Sequence, residues 1–170
     1  MRVRIAVLTL IALGRPAFAQ HQHGQSPYAS FQHRQVKALS DEQIADLRTG
    51  RGMGLALAGE MNGYPGPSHV LELSDKLRLS NEQRCRIRQL FEAMKAEAIP
   101  VGENLIEQER TLDREFVERK ITPMTLATLT GQIGATQGHL RAIHLKYHLI
   151  TTELLTSEQK RLYVELRGYQ

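Results

Sequence analysis

Two five-residue blocks constrain this chain more than anything else in it. Leu79-Ser80-Asn81-Glu82-Gln83 and Leu155-Thr156-Ser157-Glu158-Gln159 each put a hydroxyl where a helix N-cap belongs and a glutamine three residues later. In such a capping box the hydroxyl accepts from the third backbone N–H, and the glutamine reaches back to the cap's own N–H. Both blocks therefore start helices. Between them apolar residues recur three and four apart with no strand-like alternation, so the spacing predicts an all-α chain built on a long helical hairpin.

The outgoing helix carries Ile87, Phe91, Met94, Ala98, Val101, Leu105, Leu112 and Phe116 as one narrow seam. Pro100 lies inside it and should kink the helix or split it near Ile99, with Gly102 adding to the weakness. Lys120-Ile121-Thr122-Pro123 is the turn, with Thr122 as cap and Pro123 in the first helical position. The return helix should run from Met124 to about Leu154 on a stripe of Leu126, Leu129, Ile133, Leu140, Ile143, Tyr147, Ile150 and Leu154. Gly131, Gly134 and Gly138 would let another helix come close. Thr156 opens a last short helix ending at Gly168.

The N-terminus carries different information. Arg2 and Arg4, the apolar run Ile5 to Leu13, Pro16 and Ala17-Phe18-Ala19 together have the form of a secretory signal over residues 1–19, cleaved after Ala19. The run is too short for a transmembrane helix, so no membrane span is expected after cleavage. Removing Arg2, Arg4 and Arg15 and no acid takes the formal charge from +4 to +1. A nearly neutral chain has lost the electrostatic case for nucleic-acid binding. Export implies a periplasm-like oxidising compartment, yet a lone Cys85 excludes an internal disulfide.

Residues 20–37 are polar, contain His21, His23 and His33, and should form a mobile tail able to offer imidazoles to a transition metal. Residues 38–67 should form a helical extension. Leu39-Ser40-Asp41-Glu42-Gln43 is a third cap, with Ile44 placed to staple against Leu39, and the helix should run to about Arg48. Met53 to Met61 suggests a second short helix despite its glycines, and Asn62 to Pro67 stops it. A further short helix, His69 to Leu77, begins the main domain, residues 68–170.

An exported helical chain with paired Leu-(Ser/Thr)-x-x-Gln blocks bracketing a hairpin resembles the Spy/CpxP family of periplasmic proteins. The second block matches the family's Leu-Thr-x-x-Gln motif fully, and the first has Ser80 in place of Thr. The likeness covers roughly Val70 to Gly168. It implies a four-helix fold with a long hooked hairpin, usually an antiparallel homodimer. It also implies work as an ATP-independent chaperone for unfolded envelope proteins or as a modulator of an envelope sensor system. The extension over Leu39 to Pro67 is something the small chaperones lack, and the mature charge is less basic than theirs.

The same superfamily includes zinc-binding ZraP and the nickel/cobalt sensor CnrX, and this supplies the alternative of a metal-responsive protein. In those relatives the site combines histidines before the first motif, an acid on the first long helix and a His-x-x-x-Met pair on the return helix. Here His144 falls where the pair's His lies and His148 replaces the Met. Glu92 is within one residue of the acid, and His69 is the single upstream histidine. Independently of the resemblance, His144 and His148 are four apart on one helix face, a spacing that can chelate Zn, Cu, Ni or Co. The competing reading is that they pack over Tyr147 or pair with acids of the facing helix. No catalytic constellation suggests itself, so the chain reads as a non-enzyme requiring no cofactor.

Overall fold

The computed structural model describes residues 26–169. Among these the protein is all-helical. The elements are α1 (Asp41–Thr49), α2 (Leu57–Glu60), α3 (Pro67–Glu72), α4 (Asn81–Val117), α5 (Pro123–Glu153) and α6 (Ser157–Arg167), preceded by a 3-10 turn, Ala29–His33. The proposed signal and the histidines His21 and His23 lie outside the described residues.

The three expected hydroxyl–glutamine boxes form at Ser40/Gln43, Ser80/Gln83 and Thr156/Gln159, with both hydrogen bonds present in each. Thr122 caps α5 in the same way through the hydroxyl of Thr125, and Pro123 follows at the first helical position. Both strong C-terminal stops use glycine in the left-handed region, Gly50 after α1 and Gly168 after α6.

α4 and α5 form the hairpin, and α1 lies across it. Ile44 and Leu47 of α1, with Val36 and Leu39 before it, pack against Met94, Ala98, Leu105 and Ile106 of α4 and Leu140, Ile143 and Tyr147 of α5. A second cluster closes the base of the hairpin, where Val70, Leu77 and Leu79 meet Ile87, Leu155 and Tyr163. Across the hairpin Glu97 accepts from Lys146 at 2.6 Å and from the Tyr147 hydroxyl at 2.7 Å. These bonds hold the Glu97 carboxyl below its usual range.

The capping glutamines do more than cap. Gln83 Nε2 donates to Gln159 Oε1 at 2.9 Å, and Gln159 Nε2 donates back to Gln83 Oε1 at 3.1 Å. Each amide also reaches a carbonyl beside the other's helix start, Gln83 to Leu154 at 2.8 Å and Gln159 to Leu77 at 3.3 Å. The two motif blocks are thus one reciprocal clasp at the open end of the hairpin.

Several expectations fail in detail. Of the kink or split expected at Pro100, the split near Ile99 does not occur, and α4 runs unbroken through it. Proline removes one hydrogen bond, and the packing of α1 across this segment outweighs that loss. Gly102 is the point of closest approach, because a Cβ there would sit 2.7 Å from the Leu47 carbonyl. Among the described residues Gly131, Gly134 and Gly138 receive no neighbouring helix, and a Cβ on any of them would meet nothing within 4 Å. The helix expected over Met53 to Met61 shrinks to α2 because Met53 and Gly54 both take positive φ, 43° and 77°. α3 starts at Pro67 and gives way to turns after Glu72, with Leu77 still buried. The polar tail ends earlier than expected, since Val36 is already core.

The distal hairpin is also less packed than its seam suggested. No residue between Ile106 and Ile133 is buried, and Phe116 and Leu126, expected in the core stripes, are exposed.

Candidate functional site

The site grows from the last residue of α2. Gly59 lies against the side chains of Leu145 and His148 on α5, and this close approach carries Glu60 into the interior, where it is 4% exposed. A carboxylate at such a position needs several donors to replace water. It finds them on α3, on α6 and just past the end of α6. Tyr163 of α6 donates its hydroxyl to Oε1, Tyr169 does so at 3.0 Å, and His69 Nδ1 of α3 does so at 3.2 Å. The Gly66 N–H points at Oε2 at 3.4 Å, and Arg167 Nε lies 3.5 Å from Oε1.

Burial alone would raise the Glu60 pKa. The bonds from His69, Tyr163 and Tyr169, with the His69 charge, outweigh it and bring it down to about 2. Glu60 is therefore an anion at neutral pH. The Tyr163 hydroxyl is pushed far up, first by its own burial and then by its bond to this carboxylate.

His148 sits beside the same carboxylate, its Nδ1 3.7 Å from Oε2. Its stronger partner is the Tyr64 carbonyl at 2.7 Å, and a carbonyl only accepts, so Nδ1 carries the proton. The other nitrogen packs on Gly66, where a Cβ would fall 2.5 Å from Nε2. Gly66 is required for that contact. One turn earlier His144 is 2% exposed, and its Nε2 makes no hydrogen bond among the described residues. Burial, and then the nearby charge of His148, hold the His144 pKa below its usual value. Neutral imidazole is the form the fold prefers.

These groups line one side of a cavity of about 560 Å³, covered by the Gly50–Gly54 loop and bounded by Phe91, Met94 and Arg167. His69, His144 and His148 thus share a cavity, as the sequence suggested. Glu92 does not join them: it is exposed on another face of α4 and lies 4.0 Å from Lys95. The carboxylates that line the cavity are Glu60 and Glu72.

Among the described residues no three His, Cys, Asp or Glu side chains converge on a point that could hold an ion. His148 gives its Nδ1–H to the Tyr64 carbonyl, its Nε2 packs on Gly66, and Glu60 Oε1 accepts from Tyr163, Tyr169 and His69. Cys85 is exposed on α4 and free.

Sequence reasoning missed Glu60 and its partners Tyr163, Arg167 and Tyr169. A signal was there: Glu60 is the one charged residue in the otherwise apolar run Leu55 to Met61.

No family model matches the chain, and no curated protein and no solved structure matches it.

Proposed function

We propose that the chain is an exported binding protein of the Spy/CpxP kind, working by contact with unfolded envelope proteins or with the sensor domain of an envelope stress system. The observation behind this reading is the apolar surface left open where α2 meets α5. Gly59 faces inward, and Leu57 and Met61, four apart, are turned out to solvent beside the exposed Tyr64. Leu149, one turn beyond Leu145, is 54% exposed. Flexible aliphatic and Met side chains on a rigid platform make adaptable, weak contacts with varied apolar segments. The glutamine clasp and the Glu60 hub supply the rigidity.

The metal-responsive alternative has less behind it, because the Nδ1 atoms of His69 and His148 are already bonded within the fold and Glu92 lies away from the cavity. The client reading is tested by light scattering of a reduced, unfolding client with stoichiometric protein and no ATP. Suppression of aggregation is expected, with loss of most of it in Leu57→Ser/Met61→Ser/Leu149→Ser. No suppression at any ratio, or full suppression by the triple variant, would reject the reading.

A further inference from the structure

The cavity beside the Glu60 hub is, at about 560 Å³, of the size that holds a small organic molecule. Its charged groups differ in how far they are already committed. Arg51 and Glu72 are exposed, opposite in sign and screened by water, and Arg51 faces Asp46 at 3.3 Å. Glu60 is buried, and its charge is met by the donors of the hub. Arg167 is only half engaged. Its Nε serves the hub, 3.3 Å from the Tyr169 hydroxyl and 3.5 Å from Glu60 Oε1. Among the described residues its two Nη atoms donate to nothing.

His144 is the second wall group with capacity left over. It is 2% exposed, and among the described residues its ring makes no hydrogen bond. A neutral imidazole has one N–H and one lone pair to place. Orphaned N–H groups are rarer in interiors than orphaned acceptors, so the enclosed Nε2 keeps the lone pair. The proton then sits on Nδ1, which faces Gly52 across the cavity wall, 3.6 Å from where a Cβ would be. Phe91, Met94, Ala56 and Met53 supply apolar wall. Met53 holds φ at 43°, a conformation that suits glycine better, and Gly54 beside it takes 77°. Strain of this kind persists where the surroundings hold it in place, and here it brings a flexible, polarisable thioether to the cavity.

We infer that this cavity binds a compact apolar monocarboxylate, an aromatic or branched aliphatic acid. The carboxylate takes the paired Nη donors of Arg167, the fork a guanidinium offers. The apolar body lies against Phe91, Met94 and Met53, and His144 Nδ1–H serves an oxygen of the ligand. A cationic ligand would meet the guanidinium and find only the exposed Glu72 to answer it. An uncharged one would leave the Nη pair without an acceptor. The site is separate from the apolar surface assigned to clients, so either reading can fail alone.

Calorimetry of the full chain with naphthoate, naphthylmethanol, naphthylmethylammonium and acetate tests this. Naphthoate should bind one to one, and each of the others should be weaker by about tenfold or more, as the loss of a charged hydrogen-bonded pair or of the apolar body implies. Gly52→Leu puts a side chain into the cavity from a position outside the left-handed region and with only ordinary contact at its Cβ. It should leave circular dichroism unchanged and abolish naphthoate binding. Arg167→Lys keeps the charge beside Glu60 but loses the fork, so it should weaken naphthoate about tenfold and naphthylmethanol hardly at all. In the parent, nuclear Overhauser contacts from naphthoate should reach the Met94 methyl and the His144 ring, which locates the ligand without any variant. The inference is overturned by an absence of naphthoate binding at millimolar concentration, or by equal or tighter binding of the alcohol or the ammonium. Undiminished binding by folded Gly52→Leu or by Arg167→Lys, or Overhauser contacts confined to Met61 and Leu149, would overturn it as well.

Discussion

The Glu60 hub can be tested by Glu60→Gln, which keeps the shape, removes the charge and turns an amide NH₂ towards hydroxyl and imidazole donors. The carboxyl moves from 4.5 to about 2 on folding. A shift of that size corresponds to about 3 kcal/mol of stability at neutral pH. The sign follows from the direction. A carboxyl with a depressed folded pKa stabilises above its unfolded pKa, and that stabilisation fades as pH falls from 4.5 towards 2. Glu60→Gln should therefore cost about 3 kcal/mol at pH 7, or roughly 6–12 °C in Tm for a chain of this size. Urea unfolding at pH 7 and at pH 3 measures both quantities. At pH 3 half or more of the gap between parent and variant should be gone, other carboxylates cancelling because both proteins carry them. Tyr163→Phe should be less costly in the Glu60→Gln background than alone, since both act on one network. A cost below about 1 kcal/mol, or a gap equally wide at both pH values, would refute the hub as a charged, hydrogen-bonded centre.

Five other substitutions probe the rest of the fold. Gln83→Ala and Gln159→Ala should each cost about 1–3 kcal/mol in chemical unfolding, and the double variant clearly less than their sum. His144→Leu should raise stability by about 1 kcal/mol by removing an imidazole nitrogen buried without a partner. Because burial depresses the His144 pKa, the parent should lose stability as pH drops below about 6.5, and the leucine variant should lose less in thermal melts between pH 7 and 5. Zn²⁺ should shift neither Tm in a way that depends on residue 144. Gly102→Ala should lower Tm, since its Cβ would press on the Leu47 carbonyl, whereas Gly134→Ala, open on all sides, should gain up to about 1 kcal/mol of helix propensity.

What the sequence made legible was local. Each hydroxyl–glutamine box acts over three residues of backbone, and every one of them formed where the letters placed it. The seam from Ile87 to Leu105 was readable because burial follows helical period. The errors came where a contact between distant segments decides the outcome. Pro100 and Gly102 read as weakness from α4 alone, and only the arrival of α1 makes the glycine a contact point. Gly131 read as a contact point, and within one chain nothing arrives. Glu60 escaped because its donors lie on segments up to 109 residues away, and nothing in the local pattern names them. The same holds for His148, whose spacing from His144 suggested chelation while its Nδ1–H is donated to the Tyr64 carbonyl, 84 residues away.

The paired carboxamides of Gln83 and Gln159 have a consequence for how this protein ages. Each oxygen and each nitrogen has one permissible orientation, because the neighbouring cap must donate to the oxygen and a main-chain carbonyl must receive from the nitrogen. Hydrolysis of either amide would replace a donor by an acid that can only accept at neutral pH, setting oxygen against oxygen across the pair. One chemical lesion would then loosen the beginnings of α4 and α6 together, although 76 residues separate them.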